Sequence, residues 1–485
     1  MRSIKSLVVL FLTGLITSCG GSDQPASTPT PPAQNTNVPT TSAVSAVRAF
    51  DFSGGRAVPM DFGTETLELN LDATTQESTG RAVIQFQTPE AGKPYFLFNG
   101  NIRSVTLNGQ SVSIQEATTA GGDSVNVLDI TVQPGASQTV TIDYSMSGEA
   151  VSYRAGGVGF ITAMADIDDG NFFEAYGPAS FEDDQLKMTM TVNIKGAARA
   201  HQLYTNGTLT QLNTASWSVD FPAYFTTSSF YVHLTDLALA VRQTVYPGLE
   251  REIPITVYAS DESSASSAIA AVPALFAELE RDYGPYLHNS FIAYISGSGG
   301  MEHNGATITS LSAIGHELTH SWFGRGVMPQ NGSSGWIDEA IATWRDRGYP
   351  SNLTEASLDP ANIGNLSPFE RFTPFLAYNQ GGELMTVLDN LFTGTFGIQG
   401  GLKAVLKDFF AQWKTRLTTT DAFETFLEQR TGANLTQIFS TYVTGGQAGG
   451  TVGTTPPAEP GQPGVVPVGT LHPPALTPGE VRQIR

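Results

Sequence analysis

The stretch LSAIGHELTHSWFGRGVMPQNGSSGWIDEAIATW, Leu311 to Trp344, decides how the chain reads. His316 and His320 stand four positions apart, with Glu317 beside the first. On a helix of about 3.6 residues per turn, side chains at that spacing leave one face a turn apart. Both imidazoles then reach a single ion, and H-E-x-x-H on a helix is a zinc-peptidase pattern. Catalytic zinc takes three protein ligands and keeps one position open, so a third ligand is required. Glu339, 19 positions beyond His320, is the candidate. The intervening GRGVMPQNGSSG, with Pro329 and the pair Asn331-Gly332, reads as a loop returning the chain to a second helix. That helix is expected to start near Trp336 and to carry Glu339 in its first turn. The competing picture, a surface helix with two solvated histidines, explains neither the spaced glutamate nor the placement of two of the seven histidines here.

H-E-x-x-H, eighteen residues, then Glu, followed through W-I-D-E-A at Trp336–Ala340, resembles the aminopeptidase N-like family of zinc metallopeptidases. The resemblance implies an α+β protein: an N-terminal saddle-like antiparallel β-sheet domain, then a thermolysin-like, mainly helical catalytic domain. It also implies one Zn2+ per chain on His316, His320 and Glu339. Glu317 is expected not to bind the metal but to act as general base toward a water and to pass the proton to the leaving amine.

Three further segments carry the resemblance. Gly299, Gly300, Met301, Glu302 and His303 form GGMEH, similar to the family's G-x-M-E-N, and Glu302 precedes His316 by 14 positions. The family glutamate pairs with the α-amino group of the substrate, which makes Glu302 the expected anchor of a peptide with a free N-terminus. A carboxylate at a fixed distance from the metal is paired by an ammonium and left unpaired by an acylated end. In FFEAYGPASFEDDQLKM, Phe172 to Met188, Glu174 is the candidate for a second contact to that amine; the bland reading makes Glu174, Glu182, Asp183 and Asp184 solvated loop carboxylates. Tyr378 in AYNQGGELM resembles the tyrosine of the family's Y-x-x-G segment, which donates to the developing oxyanion; Tyr349 is the fallback.

Composition narrows the partners. Only 14% of residues are charged and the formal net charge is −20, which excludes a nucleic-acid partner because phosphate binding needs a basic surface. Arg2 and Lys5, an apolar run from Leu7 to Ile16, and Thr17-Ser18-Cys19 read as a secretory signal too short to span a bilayer. I-T-S-C resembles the lipobox of bacterial lipoproteins. This implies cleavage after Ser18, lipidation of Cys19 and a cell-envelope location, with Gly20 favouring the outer membrane. Cys19 is the only cysteine, so no intramolecular disulfide forms. The following Gly/Pro/Ser/Thr-rich stretch cannot bury enough apolar surface to fold and reads as a tether.

Along the rest of the chain, apolar alternation in TLELNLDA from Thr66, RAVIQFQ from Arg81, TVTIDYS from Thr139 and KMTMTVNI from Lys187 predicts half-buried strands. Asn108-Gly109 and Asn206-Gly207 predict hairpin-type turns. IPITVYAS from Ile253 and SFIAYIS from Ser290 read as strands flanking a helix over 263–283; after Gly381 the periodicity is helical, with Met385, Phe409, Phe423 and Phe426 as core. The expected organisation is a signal over 1–18, a tether over 19–48, the β-domain over 49–246, the catalytic domain over 247–445 and a Gly/Pro-rich tail over 446–485 in which His472 is no ligand. The tail leaves no room for the helical C-terminal domain of larger relatives, which implies an open cleft. Two other functions stay open at this point: an endopeptidase with the same metal chemistry, and an inert surface binding module. The preferred peptide and the oligomeric state are not written in the sequence.

Overall fold

The alternating segments at 61–87 form the two longest strands, Asp61–Asp72 and Glu77–Gln87, paired antiparallel with Leu67 opposite Ala82 and Leu69 opposite Gly80. Leu67, Leu69 and Leu71 face inward with Ala82, Ile84 and Phe86, as a period of two requires of a sheet buried on one face. Gly80 carries no side chain because the Tyr144 ring of the neighbouring strand occupies that space. The computed structural model describes residues 48–148, 150–162, 172–297, 299–330 and 334–445. The signal, Cys19, the tail with His472 and the Asn331-Gly332 pair lie outside the described residues.

The long pair is central to an eight-stranded sheet, and sheets of five and four strands complete the first domain. It is not purely antiparallel. Lys187–Lys195 runs parallel to Asp61–Asp72, and Gly55–Pro59 parallel to Lys93–Phe96. Alternation reports which face is buried, whereas direction is set by the connections. Asn108 and Gly109, both at positive φ, close the hairpin between Asn101–Leu107 and Gln110–Ser111. Asn206-Gly207 closes none. The strand before it, Gln202–Thr205, pairs with Val232–Thr235, and the strand after it, Thr208–Asn213, pairs with Ser216–Asp220. The Asn206 side chain instead accepts from Tyr231 N and donates to the carbonyls of Ser229 and Asn304, joining three segments.

The second domain begins earlier than expected. Ala240–Pro247 pairs along its whole length with Glu252–Ala259, so a boundary at 246 cuts through a strand. Parallel neighbours Phe291–Ile295 and Ala306–Thr309 follow, and Gly300–His303 forms the outer edge. Helix α1, Glu262–Tyr283, crosses between two of these strands; Asp261 caps its N-terminus by accepting from Ser264 N and Gly284, at φ 102°, ends it. Its inward residues Ala265, Ala268, Val272, Phe276, Leu279 and Tyr283 recur at three and four positions. Helices α2 (Ile314–Thr319), α3 (Trp336–Asp346), α4 (Gly382–Asn390), α5 (Gly401–Trp413), α6 (Thr420–Thr431) and α7 (Thr436–Tyr442) complete it. Met385, Phe409, Phe423 and Phe426 are buried in their common core. No helix among the described residues is long and apolar enough to cross a membrane.

Arg48, expected at the end of the tether, is buried: it pairs with Asp183 at 2.6 Å and donates to Pro368 O. Arg371 spans the domains in the same way, donating to Glu174 at 2.8 Å and pairing with Glu182.

Candidate metal centre

Helix α2 is less than two turns long and buried throughout, with His320 as its C-cap. It lies against α3 at Gly315, where a Cβ would strike the Arg345 guanidinium. Arg345 is fixed there by a two-pronged pair with Glu278 on α1, at 3.0 and 2.9 Å. After His320 the chain reverses at Gly324, φ 115°, where a Cβ would lie 2.8 Å from Asp338 Oδ2 and 3.1 Å from His320 Nδ1. Glu339 occupies the first turn of α3.

These supports bring His316, His320 and Glu339 together, with candidate ligand atoms within 4.8 Å of one another. Glu339 Oε2 is 3.0 Å from His316 Nε2 and 3.6 Å from His320 Nε2. The opposite ring nitrogens are taken. His316 Nδ1 meets Asp346 Oδ2 at 2.7 Å; His320 Nδ1 meets Phe323 O at 3.3 Å and Asp338 Oδ2 at 3.4 Å. Carboxylates on Nδ1 orient an imidazole and leave Nε2 for an ion, the arrangement found behind zinc-bound histidines. Asp338 and Asp346 were not singled out from the sequence, although Asp346 lies two helical turns past Glu339 on the same face of α3.

The electrostatics favour positive charge at this point. Burial alone would lower the His316 pKa, but its hydrogen bonds to Asp346 and Glu339 raise it to about 10. His320 is raised well above the ordinary value against burial, chiefly by the Glu339 charge. Burial works to raise the Glu339 pKa, and the two histidines with the Tyr378 hydroxyl outweigh it and hold it at about 2. Two imidazoles and one carboxylate in surroundings that hold cationic charge are a donor set suited to zinc.

Glu317 lies beside this group. With Glu302 and His320 it forms a second cluster within 4.8 Å, and burial pushes its pKa up to about 8. Tyr378 sits on a π-helical turn, Ala377–Gly381, leading into α4, and donates to Glu339 Oε1 at 2.7 Å. Tyr349 is elsewhere, donating to Glu278. Within GGMEH the residues separate. Met301 packs with Ile161, Tyr231 and Tyr258 in a buried cluster rather than lining the site. Gly299 turns the chain at φ 65° and Gly300 lies against the Glu317 carboxylate. His303 is buried rather than at the surface, its pKa pushed down to about 3 by burial and the Arg325 charge.

Neither carboxylate expected at the substrate amine is solvated. Glu302 Oε1 accepts from Arg325 Nη2 at 2.8 Å. Glu174 accepts from Arg371, and Glu182, Asp183 and Asp184 are buried as well. Asp184 accepts from Phe62 N, and burial raises its pKa well above the carboxylate range. The solvated-loop reading of these four therefore fails: guanidiniums take three of them and a backbone amide the fourth.

No family model matches the chain, and no curated protein does. Solved structures do. The M1 zinc metallopeptidase of Deinococcus radiodurans is 16% identical, with a TM-score of 0.60, covering 83% of this chain and 97% of that one. A mutant of that enzyme bound to a Tyr-Ser-Ala substrate is 15% identical, with a TM-score of 0.61, covering 81% and 95%. Yeast leukotriene A4 hydrolase in complex with bestatin is 13% identical, with a TM-score of 0.60, covering 84% and 69%. At these identities the likeness is one of fold: a β-domain followed by a mainly helical domain, as in the M1 zinc metallopeptidases.

Proposed function

We propose that this chain is a zinc-dependent aminopeptidase of the M1 type, removing N-terminal residues from peptides. The observation that carries this reading is the convergence of His316 Nε2, His320 Nε2 and Glu339 Oε2 with Glu317 and Glu302 at their edge. The peptide bound in the Deinococcus structure supports peptides as the substrate class. The lipobox at Cys19 supports attachment to a bacterial envelope membrane.

His316, His320 and Glu339 would hold one Zn2+, which supplies Lewis-acid polarisation of the scissile carbonyl and lowers the pKa of water. Asp346 and Asp338 hold the two imidazoles in the tautomer that presents Nε2. Glu317, buried at the edge of this group, would take a proton from the attacking water and return it to the departing amine. The Tyr378 hydroxyl, whose proton goes to Glu339 Oε1 in this structure, would turn from it to donate to the developing oxyanion. Glu302 receives the substrate ammonium.

One observation favours a second reading, an endopeptidase with the same centre: Glu302 already carries a guanidinium. The test is hydrolysis of a peptide panel with free and acetylated N-termini by the zinc-loaded protein, with Glu317→Gln as blank. Release of single residues from free ends supports the aminopeptidase. Cleavage of internal bonds in both forms replaces it with the endopeptidase, and no cleavage despite bound zinc leaves a binding module.

A further inference from the structure

Arg325 is a buried guanidinium that the zinc chemistry does not use. It follows the Gly324 turn, its backbone N–H donating to His320 O at 2.7 Å. One arm, Nη2, donates to Glu302 at 2.8 Å; the other, Nη1, donates at 2.6 Å to Ser228 Oγ on the 3-10 turn Thr227–Ser229 of the β-domain. It is held from both sides and only 7% exposed, so moving off Glu302 would break both hydrogen bonds.

We infer that Arg325 is a specificity-determining residue: seated on Glu302, it weakens the hold on a substrate ammonium and so admits peptides whose first residue is N-acylated. An arriving ammonium meets a carboxylate already half compensated, with a like charge a few ångströms away in surroundings that screen poorly. An acylated end, by contrast, leaves Glu302 with a partner, so the penalty for an unpaired buried carboxylate is absent. This inference rests on the aminopeptidase reading and gives its substrate class.

The experiment uses zinc-loaded protein with leucine p-nitroanilide and N-acetyl-leucine p-nitroanilide as substrates, and leucinamide and N-acetyl-leucinamide as competitive inhibitors. A charge-assisted hydrogen bond discriminates by about 10- to 100-fold. In the native protein the two inhibitors should differ by less than about tenfold. Arg325→Gln should widen that gap by about tenfold or more through KM, with kcat for the free substrate little changed. Arg325→Lys, which keeps the charge, should stay near the native ratio. A native ratio near a hundred overturns the inference even where the Gln variant fails to fold, as does a ratio that Arg325→Gln leaves unmoved. Release of p-nitroaniline from neither substrate overturns the aminopeptidase reading itself and the inference with it.

Discussion

Gly300 lies so close to Glu317 that a Cβ on it would fall within 2.5 Å of the Glu317 carboxyl carbon. The edge strand thereby holds the Glu317 carboxylate against bare backbone. Gly300→Ala should displace that carboxylate and lower kcat by about a hundredfold or more, the scale of general-base catalysis. Zinc content should stay at one per chain. Metal analysis beside steady-state kinetics separates this outcome from loss of the metal, which would point to a collapsed centre instead.

Asp346 orients His316 through Nδ1 at 2.7 Å. Asp346→Asn keeps the shape and removes the charge, and zinc affinity should fall by about 10- to 100-fold, as for other outer carboxylates of zinc sites. Competition with a chromophoric chelator reads the Kd directly; an unchanged Kd would show that Asp346 serves only its pair with Arg345.

Arg371 compensates Glu174 and Glu182 across the domain boundary, and all three are buried. Arg371→Ala leaves two buried carboxylates without their cation and should cost about 3–5 kcal/mol of stability. Denaturant unfolding at fixed zinc concentration measures it, and a loss under about 1 kcal/mol would mean that water reaches the carboxylates.

Glu65 stands on the buried face of Asp61–Asp72 with Oε1 unpartnered, and burial pushes its pKa up to about 8. The folded state therefore holds this proton more tightly than the unfolded state, whose value is near 4.5. Stability from this group is present below about pH 4.5 and is lost as pH rises toward about 8. Glu65→Gln should raise Tm at pH 7 to 9, with the gain vanishing near pH 4; a gain independent of pH would contradict the assignment.

The grouping of His316, His320 and Glu339 was legible in the sequence because one helix turn and one spaced glutamate fix it locally. Glu339 falls in the first turn of α3, as its distance from His320 implied. What escaped reading depends on contacts between distant segments. Arg325 meets Ser228 from 97 positions away and Arg371 meets Glu174 from 197, and no periodicity reports such encounters. The parallel pairing of Lys187–Lys195 with Asp61–Asp72 was hidden for the same reason. Asp346 differs: it lies a heptad beyond Glu339 on the same face of α3, a spacing the sequence itself displays.

Arg48 and Arg371 both seize the segment around 368–371 and fasten it to carboxylates of the β-domain. Guanidiniums thus rivet the two domains at one short segment, and drawing the domains apart there would strip buried carboxylates of their cations.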